Sequence, residues 1–101
     1  MLTYQNIMLS VQRALLGAIK PHMRAILVGF DEESIYIKSV VDQSVTEEDR
    51  EDLSIIGGEI LADFPFINSI VEECSFSNDK PSALTINSFK GFAYMRYELC
   101  E

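Results

Sequence analysis

The spacing of apolar residues at the start of the chain predicts an amphipathic helix. Thr3 is a candidate cap, and Pro21 disfavours helical geometry at the residue before it, so the helix should end near Lys20. Apolar residues recur between these limits every three or four positions, which is typical of one buried helix face. They are Tyr4, Ile7, Met8, Val11, Leu15 and Ile19.

A second helix is predicted up to about Asp63, with Pro65 ending it. Its apolar face consists of Leu53, Ile56, Ile60 and Phe64. Two pairs have capping-box spacing at its start: Ser44 with Glu47 fits best, and Thr46 with Asp49 less well. Gly57-Gly58 lies within the helix and costs about 1 kcal/mol per glycine relative to alanine, so we expect a close approach there, to the sheet or to a partner.

Short apolar runs rich in branched and aromatic residues predict four strands. They cover 23–30, 34–41, 66–76 and 89–99, with a possible short extended piece at 83–86. The polar turn of Asp31, Glu32 and Glu33 joins the first two strands into a hairpin. Alternation in the last strand places Tyr94 and Arg96 together on one face.

The order helix, strand, strand, helix, strand, strand predicts an α+β fold. We expect a two-layer α/β sandwich in which hairpins form a mostly antiparallel four-stranded sheet, with both helices on one face. The length of 101 residues favours a single domain over residues 1–101. The first twenty residues lack the features of a signal peptide or a membrane span, so a cytoplasmic location is expected.

Charge narrows the class of partner. The chain has 16 acidic and 8 basic residues, a net charge of −8. The basic residues are scattered, whereas a nucleic-acid or anionic-membrane surface needs them clustered. The charge favours solubility or a cationic protein partner.

The residue types needed for catalysis or metal binding are sparse. His22 is the only histidine, and Cys74 and Cys100 lie far apart without ligand spacing. No phosphate-binding or nucleophile motif is present. We therefore predict a protein that is not an enzyme and has no metal or cofactor, with both cysteines reduced.

An acidic block at the start of the second helix is the densest cluster of charge. It comprises Asp42, Glu47, Glu48, Asp49, Glu51 and Asp52, opposed in sequence only by Arg50. Acids near a helix N-terminus complement its dipole, at about 0.3–1 kcal/mol each, which accounts for two or three of them. The alternative is a docking surface for a basic protein, to which Asp31, Glu32 and Glu33 would contribute. An open sheet face carrying Tyr94 and Arg96 is a second candidate interface.

The segment PHMRAILVGFDEESIYIKSVVDQSVTEEDREDLSIIGGEILADFP, closed by GFAYMRYELCE, resembles small bacterial immunity proteins. These neutralise the toxin domains of contact-dependent growth inhibition and related polymorphic toxin systems. The resemblance implies a non-enzymatic inhibitor of one cognate toxin, often a nuclease, and it identifies no binding residue.

The first hypothesis is therefore a toxin-neutralising immunity protein that occludes a basic toxin domain. The alternative is a non-enzymatic regulatory or homo-oligomeric α/β interaction module.

Overall fold

A computed structural model describes residues 3–78 and 91–96. Its elements are α1 Tyr4–Ala14, β1 Met23–Phe30, β2 Ser34–Val41, α2 Glu47–Ala62, β3 Ser69–Phe76 and β4 Gly91–Met95. This order confirms the predicted α+β fold. The extended piece expected at 83–86, both ends of the predicted last strand and Cys100 lie outside the described residues.

Helix α1 begins where the sequence predicts and ends earlier than expected. The Thr3 hydroxyl accepts the backbone N–H of Asn6, and the Asn6 side chain accepts the N–H of Thr3, which closes a capping box. The last helical residue is Ala14, not a residue near Lys20. The chain turns away over residues 15–18, where Gly17 has a φ of 76°, a conformation that glycine adopts without strain.

The sheet has the strand order β3-β2-β1-β4. Strand β1 pairs antiparallel with both β2 and β4, which confirms a mostly antiparallel sheet. Strand β2 pairs parallel with β3, because α2 carries the chain back along the sheet before β3 begins. The sequence-based expectation of a second hairpin, between the third and fourth strands, is wrong, since these strands lie on opposite edges.

Both helices pack on one face of the sheet and enclose the main core. Each contributes residues three or four positions apart, and the two central strands contribute alternate residues. The buried members of the main core are Ile7, Val11, Ala14, Leu15, Ile26, Val28, Ile35, Ile37, Leu53, Ile56, Ile60, Phe64 and Ile67. Neither described helix is long and apolar enough to cross a bilayer.

The opposite face of the sheet is partly buried. Ala25, Leu27 and Val40 form a second small core there, with Phe92 packed against it. Edge strand β3 is more open, and Val71 is exposed on this face. On the other edge strand, β4, Met95 pairs with Ala25 and is also exposed, so this face is open towards both edges.

Gly57 makes the close approach predicted for the glycine pair. A Cβ at this position would collide with the carboxylate of Glu72 on β3, and Ile70 lies close by. The other carboxylate oxygen of Glu72 accepts a hydrogen bond from Ser54 at 2.9 Å. A Cβ at Gly58 would meet nothing within 4 Å. Contact with the sheet thus accounts for the first glycine and not for the second.

Candidate protein-binding site

The acidic block begins at the cap of α2. Thr46 is the N-cap, and its hydroxyl accepts the backbone N–H of Asp49 at 3.1 Å. The Asp49 carboxylate in turn accepts the N–H of Thr46 at 3.0 Å. The capping box is therefore Thr46–Asp49, and the preference for Ser44–Glu47 is wrong. The deciding factor is tertiary, because in this register Asp49 is buried and also contacts His22.

Asp49 is buried and joins α2 to the start of β1. It is 5% exposed, and its carboxylate lies 2.6 Å from Nε2 of His22. Burial by itself would raise the pKa of Asp49. The hydrogen bonds from His22 and Thr46 outweigh burial and hold the pKa below its ordinary value. Asp49 is thus a structural acid, and it is the hydrogen-bond partner of His22.

Two further aspartates of the block are paired with cations. Lys20 Nζ lies 2.6 Å from the Asp52 carboxylate, and this contact raises the pKa of the lysine. Arg96 Nη1 lies 2.7 Å from Asp42 and also donates to the carbonyl of Pro21 at 2.9 Å. Lys20 and His22 therefore hold the segment before β1 against the start of α2. Arg96 links the same segment to Asp42 at the end of β2.

The three glutamates of the block have a different environment. Glu47, Glu48 and Glu51 are exposed, and none of them forms a salt bridge in the part of the chain that the structure describes, although Glu48 contributes to the field at Lys20. The block of six acids thus divides into three aspartates with a close side-chain partner and three exposed glutamates without a salt bridge among the described residues. We call the latter the glutamate surface.

The acidic turn between β1 and β2 lies elsewhere. Asp31, Glu32 and Glu33 are exposed at the end of β2 opposite to Asp42, about 25 Å away by the rise of a strand. Asp31 accepts the hydroxyl of Tyr36 and the backbone N–H groups of Glu33 and Ser34, and these bonds lower its pKa. Asp31 organises the turn, and the predicted acidic residues do not form one continuous surface.

The two predicted residues on the last strand also separate. A register shift in the β1–β4 pairing places Phe92 opposite Leu27 and Tyr94 opposite Ile26. Tyr94 therefore packs against the main core on the helix side, and its assignment to the open face beside Phe92 is wrong. The alternation rule failed because the irregular pairing breaks the two-residue period. Arg96 lies beyond the strand, in its pair with Asp42.

A groove that the sequence analysis did not identify runs between α2 and the loop after α1. It has a volume of about 280 Å³, and its lining includes Leu16, Ile55, Asp52 and Glu59. Leu16 and Ile55 are 79% and 64% exposed. Their positions in the sequence could have identified them, because each is an apolar residue that lies beside the buried stripe of its segment rather than on it.

The model of the MafI2 immunity protein family matches residues 4–98. The chain belongs to the MafI2 immunity protein family. This assignment confirms the resemblance to bacterial immunity proteins of polymorphic toxin systems, and it covers both helices and all four strands. No curated protein gives a significant match. Membership supports a toxin-neutralising role and implies a cognate toxin protein as the partner.

Proposed function

We propose that this MafI2 immunity protein neutralises its toxin by binding and occluding a basic, nuclease-type toxin domain, without any catalysis of its own. Nucleases hold phosphate with Lys and Arg, and an acidic surface competes for the same side chains. Nucleic acid and membranes are not partners in this proposal. The site of action is the cytoplasm, where a toxin delivered by contact-dependent inhibition or a related system would reach its target.

The observation that carries the proposal is the division of the acidic block. Asp42 and Asp52 are paired with cations and Asp49 is buried and hydrogen-bonded within the fold, so they have little to offer a partner. The glutamate surface is preformed on a capped helix and has no salt bridge among the described residues. Three like charges in about one helical turn repel one another, and a cationic partner converts this repulsion into attraction.

The mechanism assigns separate roles to charge and to contact area. Exposed charges act mainly on encounter, by steering a cationic domain towards the surface. Residues that lose their water in the complex act mainly on dissociation. The glutamate surface should therefore control the association rate and its dependence on salt.

The test uses the cognate toxin domain, captured from the native cell, identified by mass spectrometry and then purified. The triple variant Glu47→Gln, Glu48→Gln, Glu51→Gln should associate about ten times more slowly at low salt and show a flatter salt dependence. The matched control is Glu32→Gln with Glu33→Gln, which removes the same kind of exposed charge at the other end of the sheet. It should have a smaller effect per charge removed.

Two results would contradict the proposal. If the parent protein neither binds the toxin domain nor protects cells that express it, the proposed function is wrong. If the parent binds and the triple variant has unchanged association rates at all salt concentrations, occlusion does not depend on the glutamate surface. The interface would then lie elsewhere, as on the open sheet near β3.

A further inference from the structure

Leu16 and Ile55 are exposed without contributing to the core. In α2 the buried stripe is Leu53, Ile56 and Ile60, and Ile55 points away from it. Leu16 follows the last helical turn of α1, next to Gly17. Removing an aliphatic side chain of this size from water stabilises the complex that buries it. Two such side chains lining one groove form an apolar site available to a partner.

The groove is concave, with one wall from the end of α1 and the loop after it and the other wall from α2. Ala14, Leu16, Gly17 and Ala18 form one wall, and Ile55 and Ile56 form the other. The loop is held in place by the Lys20–Asp52 pair at one end. At the other end Asp63, just after α2, accepts a hydrogen bond from Ser10 at 2.6 Å and pairs with Arg13. The groove is therefore preformed, which lowers the entropic cost of filling it.

The uncompensated charge around the groove is negative. Lys20, the cation among the lining residues, is paired with Asp52, and Arg13 of α1, outside the lining, is paired with Asp63. Glu51 and Glu59 lie one helical turn before and after Ile55, on the same side of α2, and neither has a cationic partner among residues 3–78 and 91–96. Ile55 is thus flanked by uncompensated negative charge, continuous with the glutamate surface.

We propose that this groove receives the anchor of the toxin domain, an apolar or aromatic side chain flanked by Lys or Arg. An apolar centre surrounded by charge is the usual anatomy of an energetically dominant contact. The charge complementarity commits the occupant to a cationic protein rather than a second copy of this acidic chain. This inference rests on the proposed function and specifies where the binding energy lies.

The experiment compares truncations of similarly exposed apolar side chains inside and outside the groove. Leu9 is 73% exposed on α1 and does not line the groove, so Leu9→Ala is the matched control for Leu16→Ala. Affinity and rates for the purified cognate toxin domain are measured for Leu16→Ala, Ile55→Ala, their double variant and Leu9→Ala. The double variant should bind at least about 30-fold more weakly, mainly through faster dissociation, and Leu9→Ala should bind within about twofold of the parent.

Each outcome decides one question. If the parent protein does not bind the toxin domain at all, the proposed function fails and the inference fails with it. If the parent binds and the double variant binds equally well, the groove is not the anchor site and only the inference is overturned. Sedimentation of the free protein provides a second readout. A dimer that the double variant converts to monomer, with toxin affinity unchanged, would assign the groove to self-association and also overturn the inference.

Discussion

Both sides of helix α2 carry acidic residues, but the acids of the two sides have different roles. The inner side uses Asp49, Asp52 and Gly57 to hold the helix to the segment before β1 and to β3. The outer side presents Glu51, Ile55 and Glu59, together with the rest of the glutamate surface. Aspartate is short and reaches neighbouring elements with few rotatable bonds, whereas exposed glutamate keeps its charge in water. The difference separates acids that build the fold from acids available to a partner.

The largest effect on stability is expected from Asp49→Ala. The variant loses half of the capping box and leaves His22 without its buried acceptor, so the free energy of unfolding should fall by about 2–4 kcal/mol. Urea unfolding of the parent and the variant measures this loss. Glu48→Ala, one residue away on the outer side, is the control and should change stability by no more than about 0.5 kcal/mol. Equal losses in both variants would erase the distinction between the two sides.

Acid should destabilise the fold in part through the inner side of α2, by protonating Asp49. The folded-state pKa of Asp49 lies below its ordinary value, so its ionised form stabilises the fold above about pH 4, the unfolded-state value. This stabilisation is lost as the pH falls through the folded-state pKa. Asp31 and Asp63 also have lowered pKa values and contribute in the same direction. Unfolding free energy followed from pH 5 to 2 should therefore drop in the parent and drop less in Asp49→Asn. Parallel curves would exclude Asp49 as a source of the acid response.

The two glycines of α2 should respond oppositely to a methyl group. Gly58→Ala adds helix propensity in open space and should stabilise the protein by about 0.5–1 kcal/mol. Gly57→Ala gains the same propensity but displaces the Glu72 carboxylate and its bond from Ser54, so its net change should be near zero or destabilising. Thermal and urea unfolding of both variants test the difference. A Gly57→Ala protein as stable as Gly58→Ala would show that Glu72 moves aside freely.

A smaller effect is expected for the Arg96–Asp42 pair. Both side chains are about one-third exposed, so solvent weakens their attraction. A double-mutant cycle with Arg96→Gln and Asp42→Asn should give a coupling of about 0.2–1 kcal/mol.

Removing the three charges of the glutamate surface should change stability least, within about 0.5 kcal/mol, because lost dipole interactions and relieved repulsion offset each other. A triple variant that unfolds readily would mean that these glutamates are structural.

Much of the fold was predictable because it follows from local patterns. The helix stripes, the first hairpin and the element order all emerge from spacing of three to four residues or of two. The early end of α1 and the parallel pairing of β3 were missed, because a glycine turn and a crossover depend on how the chain packs. The candidate site was predicted in part. The acidic block was visible, whereas the separation of Asp31 from it and the rotation of Tyr94 into the core required the sheet register.

By itself, the sequence determined the class of this protein: its α+β order, its strong negative charge and its resemblance to immunity proteins. It contained six acids in one block without distinguishing them. Only the tertiary structure assigned Asp42 to Arg96, Asp49 to His22 and Asp52 to Lys20, since each pair joins residues at least 27 positions apart in sequence. The physical reason is that charge is a property of residues, whereas neutralisation is a property of contacts, and long-range contacts exist only once the chain has folded.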